Sequence, residues 1–176
     1  MNVDILLPHE VLSALSRFAN PDVLHARDGL DPKSEAHLSR VESVAGDRFV
    51  SIGLWGDGVP CNWDRSETLE VFTLSLPGLA PPWANLRIPI TGLSRKHVSA
   101  RNTYDDILNV IRWSLTCCYR GEWPLRRHDG EPFGNGDHHR RKRAGDAIGA
   151  RGLLVEIRGD WSFFKSRFSF PQWNQR

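Results

Sequence analysis

The sequence predicts an α/β fold, in which four strands form one mixed sheet and a long helix makes the crossover between the third and fourth strands. Three dense apolar runs with β-branched and aromatic members lie between turn signals in the middle of the chain. One amphipathic helical segment follows them, and a fourth apolar run comes after a long polar loop. With 176 residues, 40% hydrophobic and 25% charged, the chain has the size and composition of one globular domain.

The N-terminal segment, residues 1–46, is predicted to be helical. Apolar residues recur at helical spacing after Pro8, and a second helix is predicted over 34–44 with Ser34 as its N-cap. The segment is too short to bury a core of its own. We therefore expect it to pack on the remaining domain, residues 47–176.

The strands of that domain are predicted at 49–56, 69–76, 87–92 and 152–158. Pro89 has no N–H, so the third strand belongs at an edge of the sheet. Short connections indicate an antiparallel meander of the first three strands. A right-handed crossover then brings the fourth strand beside the first and parallel to it. The predicted spatial order is 3-2-1-4, with only the last pair parallel.

The crossover helix is predicted to begin at Asn102 or Thr103 and to end before Gly121. The loop that follows, at about residues 125–150, is polar, rich in glycine and basic. A connection of that length is usually functional or disordered. We therefore expect this basic loop to carry function or to lack regular structure.

Two aspartates are the candidate catalytic residues. Asp57 is predicted just past the first strand and Asp160 just past the fourth, so adjacent parallel strands bring both to one crevice. Paired carboxylates bind divalent cations, which makes Mg²⁺ or Mn²⁺ the predicted cofactor for phosphodiester chemistry. Structural roles are the alternative, since Asp57 followed by glycine is a common turn and Asp160 can cap a helix.

The order strand–Asp, two strands, helix, strand–Asp, helix resembles the ribonuclease H-like fold of transposases, integrases and nucleases, over about residues 48–170. The resemblance implies that Asp57 and Asp160 bind the catalytic metals. In that superfamily a third acid follows a fifth strand, whereas this sequence ends earlier. We therefore expect a partial domain, truncated at its C-terminus, with Asp106 or Asp129 as candidates for the third ligand.

A second resemblance covers most of the chain. The phrases LWGDGVPCNWDRSETLEVF, TYDDILNVIRWS, RHDGEPFG and VEIRGDW are similar to a multicopy family of uncharacterised protist proteins associated with transposable elements. No established activity is associated with this second family, so the resemblance implies none for this chain.

The densest positive cluster lies in the basic loop and consists of Arg140, Arg141, Lys142 and Arg143. Such a cluster contacts phosphates, serves as a nuclear import signal, or forms a solvated basic surface. We expect nucleic acid, DNA first, as the partner. The net charge of +2 is too small to steer the whole molecule toward it. The histidines nearby do not match a zinc spacing, so no zinc is expected.

The remaining features of the sequence indicate where the protein is located in the cell and whether it associates with itself. Three cysteines cannot form a disulfide framework, no apolar run reaches about 20 residues, and no secretory signal is evident. We expect an intracellular protein, nuclear if the cluster is an import signal, with no membrane partner. An unfinished sheet edge beside the fourth strand predicts self-association. Of the seven tryptophans, Trp63 and Trp123 are among those predicted in loops, where they stack on bases or pack on the core.

The sequence therefore predicts a transposase-derived, metal-dependent nuclease or strand-transfer domain that acts on nucleic acid, with weak or no activity as this chain alone. The first alternative is a non-catalytic nucleic-acid-binding or scaffold domain with the same fold. A structural domain with no nucleic-acid role is the second.

Overall fold

The computed structural model describes residues 4–64, 66–80, 86–98 and 102–159. Single turns of 3₁₀ helix lie at Arg95–His97 and Asn135–Asp137. The regular elements, in chain order, are α1 (Pro8–Phe18), α2 (Pro21–Leu24), α3 (Pro32–Ala45), β1 (Phe49–Pro60), β2 (Thr68–Ser75), β3 (Ile88–Ser94), α4 (Asn102–Arg120), α5 (His138–Arg143) and β4 (Arg151–Gly159).

The four strands form one mixed sheet in the order β3-β2-β1-β4. The pairs β1–β2 and β2–β3 are antiparallel, and β1–β4 is parallel. This order confirms the predicted meander and crossover. Pro89 lies in β3, at the edge of the sheet, where its missing N–H removes no hydrogen bond from a central strand.

Strand β1 is longer than predicted. It continues through Pro60, and Asp57 pairs with Val71 of β2 inside the strand. The prediction that Asp57 follows the strand is therefore wrong, because pairing with β2 continues past the glycines that look like a turn. The described parallel pairing with β4 ends earlier, at Gly56 and Gly159.

Helices α1 and α4 pack on one face of the sheet. A side chain on Gly152 of β4 would meet Ile52 within 2.6 Å, Leu12 within 3.0 Å and Cys118 within 3.3 Å. Only glycine allows β1, α1 and α4 to come this close to β4. The buried cluster between the layers includes Leu12, Val50, Ile52, Leu54, Phe72, Leu74, Ile107, Ile111 and Cys118.

The opposite face is partly covered by the turn after β2 and by the segment after α2. The N–H of Gly78 donates to Ser51 Oγ at 3.0 Å, and the N–H of Gly29 donates to the Gly78 carbonyl at 3.2 Å. Helix α3 is tied to β1 by the N–H of Phe49, which donates to Glu42 Oε1 at 2.9 Å. The N-terminal segment thus packs on the sheet at several points.

The start of α3 differs from the prediction. Its N-cap is Asp31, whose side chain accepts hydrogen bonds from the N–H groups of Lys33 at 2.9 Å and Ser34 at 3.2 Å. Ser34 was predicted as the cap but lies inside the helix. Pro32 explains the earlier start, because its fixed φ and missing N–H suit the first helical position.

The loop between α4 and β4 folds back on itself. The N–H of Trp123 donates to the Asp146 carbonyl at 2.8 Å, and the N–H of Ile148 donates to the Gly121 carbonyl at 2.8 Å. Trp123 and Ile148 are buried at 3% and 2% exposure. The expectation of an irregular loop is therefore too simple, because its two ends pair with each other and its middle carries α5.

The helices and the cysteines each have one further property of note. Among the helices that the structure describes, none combines the length and the apolar character that spanning a bilayer requires. The three cysteines are free; Cys61 is exposed, whereas Cys117 and Cys118 are buried on α4.

Candidate functional site

Asp57 lies on the sheet face that points away from α4. Its neighbour Gly56 pairs with Phe72, whose ring lies 6.5 Å from that of Tyr104 on α4. Because strand side chains alternate, Asp57 projects from the other face. Its side chain is half-buried, and its Oδ1 accepts the N–H of Gly58 at 2.8 Å.

The same face carries a short charged row beside Asp57. Trp55 pairs with Arg158 of β4, and Arg158 bonds Glu156 with 2.7 Å between Nη2 and Oε2. The guanidinium of Arg87 lies 4.8 Å from the Trp55 ring. The strand neighbours of Asp57 on this face therefore include the guanidinium of Arg158 and, two residues earlier in β4, the carboxylate of Glu156.

Asp160, the second predicted ligand, lies outside the described residues. The described register ends at the pair Gly56–Gly159, one residue before each of the two candidates in the sequence. The parallel β1–β4 pairing on which the two-aspartate argument rests is therefore present up to that point.

The two candidates for a third acid lie together, but elsewhere. Asp106 and Asp129 both line a groove of about 1140 Å³ along α4, together with Trp113 and His128. The sheet lies between this groove and the face from which Asp57 projects. The structure thus brings Asp106 and Asp129 to one groove and brings neither of them to Asp57.

The described residues do not complete a metal site. Within residues 4–64, 66–80, 86–98 and 102–159, no group of three or more His, Cys, Asp or Glu side chains is arranged to hold a metal ion. At the end of β1, Asp57 projects from one face, whereas Glu70 of β2, which pairs with Gly58, projects from the other. One carboxylate is too few oxygen ligands for Mg²⁺ or Mn²⁺, so any fit depends on Asp160.

Two members of the basic cluster are engaged inside the protein. Arg140 bonds Glu10 of α1 at 2.8 Å and Asp137 at 2.9 Å, and the hydrogen bond to Glu10 is the main reason that the pKa of Arg140 is raised. The guanidinium of Arg143 lies 4.3 Å from the Trp123 ring centroid. These two side chains attach α5 to the fold and are less available to a phosphate backbone.

Arg141 and Lys142 are the exposed members of the cluster. The side chain of neither residue makes a hydrogen bond or an ion pair with another described residue. They are consequently the two side chains of the cluster that can reach a phosphate without breaking an internal contact.

Sequence reasoning missed the buried polar centre of the molecule. His9 of α1 is 0% exposed, and its ring lies edge-on to Trp113 at 5.3 Å and to Trp123 at 5.2 Å. Its Nδ1 shares a hydrogen bond of 2.7 Å with Ser114 Oγ. Burial lowers the pKa of His9 from 6.5 to about 4. The available signal was the spacing of His9 three residues before the core residue Leu12 on one helical face.

No protein-family model, curated protein or solved structure matches the chain. The fold and the site define a class only: an α/β domain whose mixed sheet has a parallel central pair, with an aspartate on the first strand where the described parallel pairing ends.

Proposed function

We propose that the chain is a transposase-derived domain with a ribonuclease H-like fold, which acts on nucleic acid through a divalent cation held by Asp57 and Asp160. One observation carries the proposal. The parallel pairing of β1 with β4 continues to the pair Gly56–Gly159. Asp57 and Asp160 are the residues that follow these two glycines in the sequence. The order β3-β2-β1-β4 with α4 as the crossover is consistent with that fold.

The roles of the side chains follow from their chemistry. Asp57 and Asp160 would supply hard oxygen ligands to Mg²⁺ or Mn²⁺. The ion, when bound, supplies charge stabilisation at the phosphate oxygens. Arg141 and Lys142 would hold the DNA backbone by charge, without reading sequence.

Weak metal binding is part of the proposal. Two aspartates offer few oxygen ligands for a divalent cation, which takes six or more. We therefore expect weak binding of Mg²⁺ or Mn²⁺ and little nicking by this chain alone.

A non-catalytic nucleic-acid-binding or scaffold domain is the second candidate. It is favoured by the exposure of Arg141 and Lys142 together with the lack, among the described residues, of a group of three metal-binding side chains. Such a domain needs phosphate contacts and no cation.

The decisive experiment compares two double variants that remove the same charge. Mn²⁺ binding is measured by calorimetry, and plasmid nicking is measured in parallel, for the native chain, for Asp57→Asn with Asp160→Asn, and for Asp106→Asn with Asp129→Asn. The first variant should lose Mn²⁺ binding, because it removes both proposed ligands, while the second should keep it.

Three results would count against the proposal. Binding that survives the first variant removes Asp57 and Asp160 as ligands, and binding lost in the second moves the metal to the groove along α4. DNA binding that needs no cation and weakens in Arg141→Gln with Lys142→Gln favours the non-catalytic candidate, provided that the native chain shows no Mn²⁺ binding.

A further inference from the structure

Strands β1 and β2 continue as a two-stranded arm past the end of the described pairing with β4. That pairing ends at Gly56, whereas the pairing of β1 with β2 continues to Pro60 and Thr68. Every residue over 58–64 is exposed. The arm therefore projects from the sheet, and it is a continuation of the strand that carries Asp57.

Hydrogen bonds within the connection between β1 and β2 give it a defined shape. The N–H of Cys61 donates to the Glu67 carbonyl at 2.9 Å, and the N–H of Glu67 donates to Asn62 Oδ1 at 3.0 Å. The amide Nδ2 of Asn62 donates to Ser66 Oγ at 2.7 Å. These bonds cross the connection on both sides of Trp63, so they hold the backbone that presents its side chain.

Trp63 is fully exposed at this position. The sequence predicts that Trp63 and Trp123 either stack on bases or pack on the core. Trp123 is 3% exposed and packs on the core, whereas the exposure of Trp63 excludes packing. An indole that stays in water gains nothing from its large apolar surface, and such side chains are typical of binding sites. Contact with a partner is the role that remains for Trp63.

A basic turn lies beside the connection. It consists of Arg95, Lys96 and His97, directly after β3, and all three are exposed. Glu67 attaches the turn to the connection, because it accepts a hydrogen bond from Ser94 Oγ at 2.7 Å and lies 3.4 Å from Lys96 Nζ. An exposed aromatic ring with cationic groups beside it is the combination that binds single-stranded nucleic acid.

Acidic side chains at this end of the sheet limit its net charge. Glu67 lies 3.4 Å from Lys96 Nζ, and Glu70 lies 4.0 Å from Arg95 Nε. Asp64, in the connection, is exposed. The described side chains of this end therefore carry no large charge of either sign. Stacking on a base requires a π face and no net charge, so the aromatic ring is the main contact and the cations are secondary.

We propose that Trp63 stacks on an unpaired base of a single-stranded nucleic acid, while the basic turn at residues 95–97 lies against the adjacent phosphates. The inference rests on the proposed function, since Asp57 and Trp63 lie on one hairpin. Six residues separate them in sequence, which is a reach of at most about 20 Å. Because every base has a π face, the arm would hold a strand near Asp57 without reading its sequence.

The test measures the binding of a fluorescein-labelled oligodeoxythymidylate by fluorescence anisotropy. The buffer contains EDTA, so that stacking is observed without any contribution from a cation. Trp63→Ala should weaken binding about tenfold, within the range for the loss of one stacked base. Trp63→Phe keeps a π face and should retain most of the affinity. Phe18→Ala removes another exposed aromatic ring, at the end of α1, and should leave binding unchanged.

The salt dependence of binding separates stacking from phosphate contacts. Trp63→Ala removes no charge, so it should lower the affinity at every salt concentration by the same factor. Arg95→Gln removes one cation and should flatten the plot of log affinity against log salt by about 0.7, the value for one phosphate of a single strand. A flatter plot for Trp63→Ala would contradict a stacking role.

Two results overturn the inference. The first is equal affinity of the native chain and Trp63→Ala for the oligonucleotide, or no binding by either. The second is a change of oligomeric state in Trp63→Ala, measured by analytical ultracentrifugation, with unchanged oligonucleotide affinity; Trp63 would then contact a second copy of the chain.

Failure of the inference is distinguishable from failure of the proposed function. If Mn²⁺ binding depends on Asp57 and Asp160 but oligonucleotide binding does not depend on Trp63, only the inference fails. If oligonucleotide binding depends on Trp63 but Mn²⁺ binding survives Asp57→Asn with Asp160→Asn, the arm binds nucleic acid and the metal site fails.

Discussion

The end of β1 and the layer around Trp123 are built in opposite ways. At the end of β1, Asp57 is half-buried, and its carboxylate accepts a hydrogen bond from the adjacent N–H of Gly58. Around Trp123, by contrast, side chains from three distant parts of the chain converge, with His9 on one side and Arg143 over the ring.

The difference shows that polar residues are held by two different means in this molecule. Strand pairing with Val71 sets the position of Asp57, and its carboxylate bonds only a neighbouring backbone N–H, so we expect its replacement to cost little stability. The residues around Trp123 hold each other in position, so each change there is transmitted to α1, α4 and the basic loop. We therefore expect large stability effects at Trp123 and small ones at Asp57.

The largest effect is expected for Trp123→Ala. Removing this side chain leaves a cavity against His9 and removes the surface on which Arg143 lies, so the free energy of unfolding should fall by about 4 kcal/mol. Urea denaturation at pH 7 measures the change.

Trp63→Ala is the matched control, because Trp63 is fully exposed in the β1–β2 connection. Its effect should stay within about 0.5 kcal/mol. Equal losses in the two variants would show that burial of Trp123 does not stabilise the fold.

A pH-dependent loss of stability is expected from His9. Its folded-state pKa of about 4 lies below the ordinary value of 6.5, so the unfolded chain takes up the proton first as the pH falls. The His9 contribution is complete above pH 6.5 and is lost toward pH 4. Between pH 7 and pH 5 it should lower the free energy of unfolding by about 2 kcal/mol.

The measurement is the difference in pH dependence between the native chain and His9→Gln, which cannot take up a proton. The variant is expected to be less stable at every pH but to show a flatter profile between pH 7 and pH 5. His138→Gln, at an exposed position of α5, serves as the control. A native profile parallel to that of His9→Gln would contradict a buried neutral imidazole.

The smallest effect separates two neighbours in the basic cluster. Arg140→Gln breaks the contacts with Glu10 and Asp137 and should lower the free energy of unfolding by about 1 kcal/mol. Arg141→Gln, one residue along and exposed, should be neutral. Equal behaviour of the two variants in urea would mean that Arg140 does not attach α5 to α1.

The sheet could be predicted from the sequence because its signals are local and agree with one another. Apolar runs, turn residues and the edge position required by Pro89 all point to the same order, and the structure has that order. The error at Asp57 has a physical reason. The glycines on both sides of it resemble a turn, but pairing with Val71 and its neighbours in β2, which is not local, keeps the chain extended.

The site was less predictable because its contacts are long-range. Nothing near Trp123 in the sequence signals burial, since Glu122 precedes it and the polar, basic loop begins two residues later. Its surroundings come from α1 more than 100 residues earlier and from the returning end of the loop at Asp146. The predicted metal roles of Asp57 and Asp160 remain predictions, as does DNA binding by the basic cluster.

The burial of two of the three cysteines means that a thiol reagent should modify the folded chain at one position. The thiolate is the reactive form of cysteine, and burial raises the pKa of Cys117 to about 11 and that of Cys118 further still. Cys61, directly after the last residue of β1, is exposed. A maleimide dye therefore has one accessible thiol on the native protein. The resulting single label lies at the end of the strand that carries Asp57, where its emission can report on ligands at that edge without any mutation.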